Sequence, residues 1–230
     1  MKTKSIIQVL LALVIVGLGI CLYASITKPM KFENEYNTRR DACAEKLKAI
    51  RMLEESYKST YGCFCGSFDT LFTRLINEDS LLISQKIYNY EKIQKDGVDI
   101  NEIPETEAFK KGYVTRKDTL VNPIEQLREA GKLPIVDKNG YERQLTNEEI
   151  MNLCYVPYTN HEKFQLQAGQ IERSGLQVPV FECKVDLSVL LADLDEQDVA
   201  NRIDQLEKNN RYPGWKVGDM NQSITEGNFE

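Results

Sequence analysis

Two consecutive stretches near the N-terminus decide the fold. They are SIIQVLLALVIVGLGICLYASI, from Ser5 to Ile26, and FENEYNTRRDACAEKLKAIRMLEESYKSTY, from Phe32 to Tyr61. The first stretch is 22 residues long and uncharged. As a helix rising about 1.5 Å per residue, it is long enough to cross the hydrocarbon core of a lipid bilayer. We therefore predict an N-terminal tail over residues 1–4 and a transmembrane anchor over residues 5–27, with the bilayer as its partner.

The second stretch has the periodicity of an amphipathic helix. Its apolar residues follow one another at steps of seven, four, three, seven and four, which places them on one helical face. These residues are Tyr36, Cys43, Leu47, Ile50, Tyr57 and Tyr61. Charged side chains fill most of the remaining surface, among them Arg39, Arg40, Asp41, Glu45, Lys46, Lys48, Glu54 and Glu55. Residues 28–62 are therefore predicted to form a stem helix whose apolar face belongs to the core of a head.

The anchor lacks the usual processing signals. The triplet at residues 22–24 has a leucine where signal peptidase prefers a small residue, and Ile20 before Cys21 disfavours a lipoprotein. We expect an uncleaved anchor. Pro29 follows the apolar run and predicts a kink or break near residues 27–30, because proline removes one helical hydrogen bond. The stem is then expected to be two helices in line.

Basic residues occur on both sides of the apolar run, so their number alone does not orient the anchor. Two precede it and four follow it: Lys2 and Lys4, then Lys28, Lys31, Arg39 and Arg40. A short leading segment ahead of a long apolar run is typical of a signal anchor. We therefore expect a single-pass protein with its head outside the cytoplasm.

Beyond Gly62 the sequence predicts a series of short elements. An extended piece at residues 63–66 precedes a helix capped by Ser67, and residues 81–93 fit either a strand pair or an irregular insertion. Further helices are predicted at residues 104–111 with Thr106 as the cap, at 123–130, after a capping box that starts at Thr146, and at 196–208.

The strongest strand signal is a hairpin at residues 163–187, where alternating apolar residues flank a turn at residues 173–175. Pro179 restricts part of the second strand to a sheet edge or bulge. Strands are also predicted at residues 113–121 and 212–218. The fold class is therefore α+β, with a long N-terminal helix packed on a mainly antiparallel sheet with small helices. The head spans residues 63–218, and the polar tail at residues 219–230 is expected to be loose.

The end of the stem resembles type IV pilins and pseudopilins. LEESYKSTYG, at residues 53–62, is followed by Phe64, Gly66, Ser67, Phe68, Asp69 and Leu71. In that family the same place carries a helix ending in tyrosine and glycine, then an aromatic residue and a leucine-containing turn. The resemblance implies a pilin-like fold. Met1 to Gln8 departs from the family pattern, since it contains neither the glycine of the prepilin cleavage motif nor the glutamate used in filament assembly.

The chain also resembles an uncharacterised family of bacterial membrane-anchored proteins. The matching segments are VPVFE at residues 178–182, YPGWKVG at 212–218 and GNFE at 227–230. Together the two resemblances imply an inner-membrane protein with a periplasmic head, acting as a structural or interaction protein among other envelope proteins. They imply no activity or cofactor.

The chain has six cysteines. Cys21 lies in the anchor, and Cys43 shares the apolar face of the stem. Outside the cytoplasm disulfides can form, so Cys63, Cys65, Cys154 and Cys183 are candidate disulfide partners, with free buried thiols as the favoured alternative. A zinc site is disfavoured, because Cys-x-Cys is not the usual spacing and the chain has one histidine.

The sequence does not predict an enzyme. It contains no Gly-x-Ser-x-Gly, His-Glu-x-x-His, phosphate-loop or dinucleotide motif. His161 follows Cys154 by seven residues, but sequence spacing does not establish a catalytic contact. The acidic pairs Asp193/Asp195 and Glu148/Glu149 are typical of helix starts. An alternative remains, which is an anchored binding module or hydrolase acting on glycan or peptide through carboxylates that converge in a cleft.

Tyr212 and Trp215 are candidate partner-binding residues, because tryptophan and tyrosine are enriched at interaction hot spots. The competing interpretation is that Trp215 closes one end of the core. A nucleic-acid partner is not expected, because the chain has a net charge of -6 and no cluster of basic residues.

Overall fold

A computed structural model describes residues 2–136 and 142–229. Its first element is a helix of 60 residues, α1 (Lys2–Tyr61), which contains both predicted parts of the stem. The expected break is absent, since α1 continues through Pro29. Proline has no N–H, so Pro29 cannot donate to the Ser25 carbonyl as another residue in a helix would. Both residues are exposed, so this carbonyl can be solvated instead.

The N-terminal part of α1 projects from the head. It is the one described helix that is long and apolar enough to cross a membrane, with a mean hydropathy of 1.7 over its most apolar 18 residues and none of that window buried. Large apolar side chains such as Leu13, Leu18 and Ile20 are about two-thirds exposed. A helix with this surface suits lipid better than water.

The C-terminal part of α1 is the centre of the head. The predicted apolar face is confirmed: Tyr36, Cys43, Leu47, Ile50 and Tyr57 are buried, and Tyr61 is half-buried. The helix lies against the last two strands of the chain and against the second helix. Phe64, just after the helix, packs against Phe181 with the two rings tilted and their centroids 4.6 Å apart.

The strands form three small antiparallel sheets, so the single sheet expected from the sequence is wrong. Strands β1 (Leu81–Tyr88) and β2 (Val114–Val121) form a two-stranded ribbon, and β3 (Pro134–Val136) pairs with β4 (Glu142–Gln144). Only the third sheet has three strands, in the order β5-β6-β7. They are β5 (Gln165–Arg173), β6 (Leu176–Asp186) and β7 (Gly214–Gly218).

The predicted hairpin corresponds to β5 and β6, and the proline has the predicted position. Pro179 pairs with Gln170 of β5, whereas β7 pairs only with Glu182 to Asp186 of β6. The half of β6 that contains Pro179 is therefore a sheet edge on its other side. Strand β7 does not extend as far as Pro179, so the absence of an N–H on this proline costs no hydrogen bond between β6 and β7.

Short helices connect the strands. They are α2 (Phe68–Asn77), α3 (Tyr90–Asp96), α4 (Glu105–Lys110), α5 (Pro123–Glu129), α6 (Asn147–Met151), a 3₁₀ turn (Asn152–Cys154), α7 (Leu187–Leu190) and α8 (Glu196–Lys208). The capping box at Thr146 is confirmed, with Glu149 as its second member. Ser67 occupies the predicted N-cap position of α2 but makes no side-chain cap bond. The cap predicted at Thr106 is wrong, since Pro104 is the N-cap of α4. Residues 81–93 form one strand and most of α3.

The expectation of a loose C-terminal tail is wrong for its last described residues. Gly227 bridges to Val217 of β7, and the backbone N–H of Asn228 donates to the Lys216 carbonyl at 3.1 Å. The Asn228 side chain donates to Gly214 O and accepts from Lys216 N. The tail therefore closes the outer edge of β7, satisfying backbone groups that an edge strand otherwise leaves open.

Replacing Leu47 by aspartate is expected to unfold the head. Leu47 is fully buried, so Leu47→Asp buries a charge without a partner, at a cost of at least about 3 kcal/mol. Thermal unfolding of the full chain in detergent, followed by Trp215 fluorescence, measures the loss. The matched control is Lys48→Asp, which introduces aspartate at the next residue, where the side chain is exposed. It should cost less than about 1 kcal/mol. Equal melting of the two variants would contradict the assignment of the core face.

Candidate functional site

The most unusual group in the head is a carboxylate inside the core. Glu54, which the sequence analysis placed on the charged face of the stem, is fully buried. One of its oxygens accepts a hydrogen bond of 2.8 Å from the backbone N–H of Cys65. Its other oxygen has no hydrogen-bond partner in the part of the chain that the structure describes. Glu54 lies seven residues after Leu47 and four after Ile50, so its position, though not its residue type, signalled burial.

Burial controls the charge of this group. Desolvation raises the pKa of Glu54 from 4.5 to about 8, and the hydrogen bond from Cys65 opposes the rise. Glu54 is therefore mainly protonated at neutral pH. Burial also raises the pKa of Cys183 well above its ordinary value, with the nearby Glu54 and Cys43 as smaller causes. A neutral acid beside a neutral thiol fits a packed core better than a nucleophile and its base.

The cysteines are all free thiols in this structure, so the candidate disulfides of Cys63, Cys65, Cys154 and Cys183 are not formed. Cys63 is half-buried, and the other three are buried. Burial raises the pKa of Cys43 to about 12 and also raises the pKa of Cys65 and Cys154. Unionised, enclosed thiols are poor nucleophiles and poor metal ligands. The described residues contain no group of three or more potential metal ligands.

An ion pair joins the segment between α7 and α8 to the stem. Arg39 is 5% exposed and donates to the carbonyl of Leu190 at 2.9 Å and to both carboxylate oxygens of Asp193. The hydrogen bond from Arg39 is the largest cause of a lowered Asp193 pKa. Arg39 was predicted to be a solvated stem residue, so its burial is a correction. Only the tertiary fold brings Asp193, 154 residues away, to this point.

The two acidic pairs singled out in the sequence are structural. Asp193 binds Arg39, whereas Asp195 caps α8 by accepting from the backbone of Gln197 and Asp198. Glu149 belongs to the capping box at Thr146 and pairs with Arg143, which lowers its pKa to about 2. Neither pair converges on a cleft as two desolvated carboxylates, which is the arrangement that acid–base catalysis of glycan cleavage requires.

Cys154 and His161 also have separate partners. The thiol of Cys154 donates to the carbonyl of Met151 at 3.3 Å. The His161 ring meets the Tyr155 ring edge-on, with centroids 5.5 Å apart. His161 is exposed, as expected for a loop residue. The geometry therefore gives no support to a Cys-His nucleophile.

Tyr212 and Trp215 do not form one surface. The Tyr212 hydroxyl donates to Asp186, and burial followed by this bond raises its pKa. Trp215 instead lies 6.0 Å from the Tyr36 ring of the stem and packs against the core. It also lines a polar groove of about 580 Å³, the tryptophan groove, together with Arg40, Lys48, Arg211, Asn228 and Phe229. Only Trp215 of the predicted pair lines this groove.

A second groove, the stem groove, runs along the other side of α1 and has a volume of about 540 Å³. Its apolar lining is Ala49, Met52, Leu133, Leu145, Leu153 and Pro157. Lys46 is also part of the lining, but its ammonium is engaged by the carbonyls of Asn152 and Tyr155. The volume lies in the range of small-molecule sites. Glu45, Glu142 and Glu149 also line the groove, and Glu149 is paired with Arg143. This pairing lowers the pKa of Glu149 to about 2, so Glu149 is ionised at neutral pH and is unsuited to act as a general acid.

Head stability is expected to fall as pH rises from about 5 to 8. In that interval the folded state keeps the proton on Glu54 while the unfolded state, with a pKa near 4.5, has lost it. The folded state then binds more protons, so Glu54 reduces stability by up to about 1.4 kcal/mol per pH unit. Glu54→Gln, which keeps an acceptor for Cys65, should remove this slope in denaturant unfolding measured at several pH values. The exposed neighbour provides the control, Glu55→Gln, and an identical slope in the two variants would show that Glu54 is not the titrating group.

A maleimide is expected to modify Cys63 in the folded head and to reach Cys43, Cys65, Cys154 and Cys183 only after unfolding. The reason is that these four thiols are buried and protonated. Mass spectrometry of the full chain in detergent, with Cys21→Ala to remove the anchor thiol, counts the modified groups. Detection of a disulfide among the four in freshly isolated protein would contradict the free-thiol arrangement.

Comparison of the chain with protein-family models, curated proteins and solved structures found no significant match. The geometry described above is therefore the basis for a functional proposal.

Proposed function

We propose that this protein is a membrane-anchored structural or interaction protein, held in the inner membrane by α1 with its head in the periplasm. The observation that carries the proposal is the division of one unbroken helix into two environments. Its N-terminal part exposes apolar side chains such as Leu18 on all sides, whereas its C-terminal part supplies Leu47 and Ile50 to the core. A soluble protein would gain nothing from the exposed part.

The same arrangement supports a pilin-like head. The stem lies across an antiparallel sheet, with α1 against β6 and β7, as the resemblance at residues 53–71 implies. Filament assembly by the prepilin route is not part of the proposal, because Met1 to Gln8 lacks both residues that this route uses. The proposed role is display of the head to other envelope proteins at a fixed distance from the bilayer.

A catalytic role has less support. The buried carboxyl group of Glu54 accepts from a backbone N–H, and Cys154 and His161 have separate partners. Asp193 and Glu149 are paired with arginines, and Asp195 caps α8. A second candidate function is favoured by the stem groove, whose mainly apolar lining suits a small apolar or amphipathic ligand better than a glycan. In that case the protein would be an anchored binding module.

Membrane attachment and orientation are testable together. The full chain should resist extraction by alkaline carbonate and dissolve in detergent, whereas Val16→Lys combined with Leu18→Lys should release it. Each lysine near the middle of the span costs about 3 kcal/mol. In intact cells, with Cys21 and Cys63 both replaced by alanine, an impermeant maleimide should label Glu55→Cys in the head, and should label Lys4→Cys only after permeabilisation. Extraction of the wild-type chain by carbonate would overturn the anchor, and the reverse labelling pattern would place the head in the cytoplasm.

A further inference from the structure

Residues 81–121 form an arm whose root is bonded to the head. The arm consists of β1, α3, α4 and β2. At the root, the Tyr61 hydroxyl is 3.1 Å from Ser80 and the Asn122 side chain donates to the carbonyl of Ile76. At the tip, Tyr113 donates to Asp96 and so holds α3 in place. An isolated two-stranded ribbon is marginally stable in water.

The ribbon exposes apolar side chains on both faces. Leu82 and Leu120 face each other across the ribbon and are 61% and 60% exposed, and Ile87 and Tyr88 are 47% and 39% exposed. The sheet that contains β1 and β2 has two strands, so each strand has an outer edge with no strand partner among the described residues. Open edges of this kind are templates for pairing with another chain.

The two edges are not equivalent. Strand β2 carries three consecutive charges, Arg116, Lys117 and Asp118, which protect an edge against pairing. Strand β1 carries one charge, Lys86, and that ammonium is paired with Glu105 of α4 at 2.9 Å. The outer edge of β1 therefore lacks the charges that would oppose a further strand.

The sequence of β1 is self-complementary. When two copies of LLISQKIY run antiparallel with Gln85 opposite Gln85, Ile83 faces Ile87 and Leu82 faces Tyr88 of the second copy. Lys86 then faces Ser84, so no two like charges are opposite each other. A shift of the centre to Ser84 would instead place Lys86 opposite Leu82. Only the first register matches apolar residues with apolar residues on both faces.

We propose that two copies of this chain associate through the outer edges of their β1 strands, antiparallel about Gln85, to form a four-stranded sheet with the order β2-β1-β1-β2. Such an interface is isologous and closed, with each copy presenting the same strand to the other. The proposal rests on the interaction role proposed above and names its partner as a second copy. Its failure would leave membrane attachment by α1 unaffected.

Cysteine crosslinking of the full chain in nanodiscs or mild detergent tests the register. In a Cys21→Ala background, Gln85→Cys should give a disulfide-linked dimer under mild oxidation, because the two introduced thiols face each other across the interface. The matched control is Lys117→Cys, which sits directly opposite Gln85 within the ribbon but on the protected edge. This variant should still associate but should form no disulfide-linked dimer. Equal crosslinking at both positions, or at Lys117→Cys alone, would overturn the proposal.

Charge substitutions at Gln85 distinguish a loss of strand pairing from misfolding of the chain. Gln85→Lys and Gln85→Glu each place like charges opposite each other and should weaken self-association by up to about fivefold, whereas a mixture of the two variants should restore it. The oligomeric state is measured by analytical ultracentrifugation or mass photometry. A wild-type chain that stays monomeric over the measured range, or one whose β1 is occupied by a different envelope protein, would refute self-pairing.

Discussion

The structure depends on one constraint, which is that a single helix is apolar on all sides at one end and apolar along one stripe, facing a protein core, at the other. At the core end, β6, β7 and α2 pack against a narrow stripe of apolar residues that contains Leu47 and Ile50. The other end has no such stripe, because apolar residues surround it. The three-stranded sheet and α2 are each too small to bury an apolar face alone, and both pack against α1.

The stem buries one basic and one acidic side chain, Arg39 and Glu54, and the two behave differently. Arg39 keeps its charge because Asp193 and the Leu190 carbonyl replace the water that burial removes. Glu54 has one backbone donor and instead becomes neutral near physiological pH. Burial of a polar group costs stability unless its hydrogen bonds are made. The hydrogen bonds of Arg39 and Glu54 form at one position of the head along the stem, so together they define where the head is attached.

The sequence predicts those parts of the fold that local physics determines. The apolar stripe of α1, the capping box at Thr146 and the β5–β6 hairpin all follow from spacing and residue type within a few turns of chain. It does not predict the burial of Glu54 or the contact of Arg39 with Asp193, since these depend on which distant segments meet the stem. The ordered tail was missed for the same reason, because Asn228 has no local signal for its contacts with β7.

The continuity of α1 through Pro29 has a geometric consequence. A helix turns by about 100° per residue, so each side of the apolar segment has a fixed angular relation, about the helix axis, to each side of the head. The described helix is continuous from the apolar segment to Tyr36. Rotation of the apolar segment about the helix axis therefore carries the head, including the β1–β2 ribbon, around the same axis.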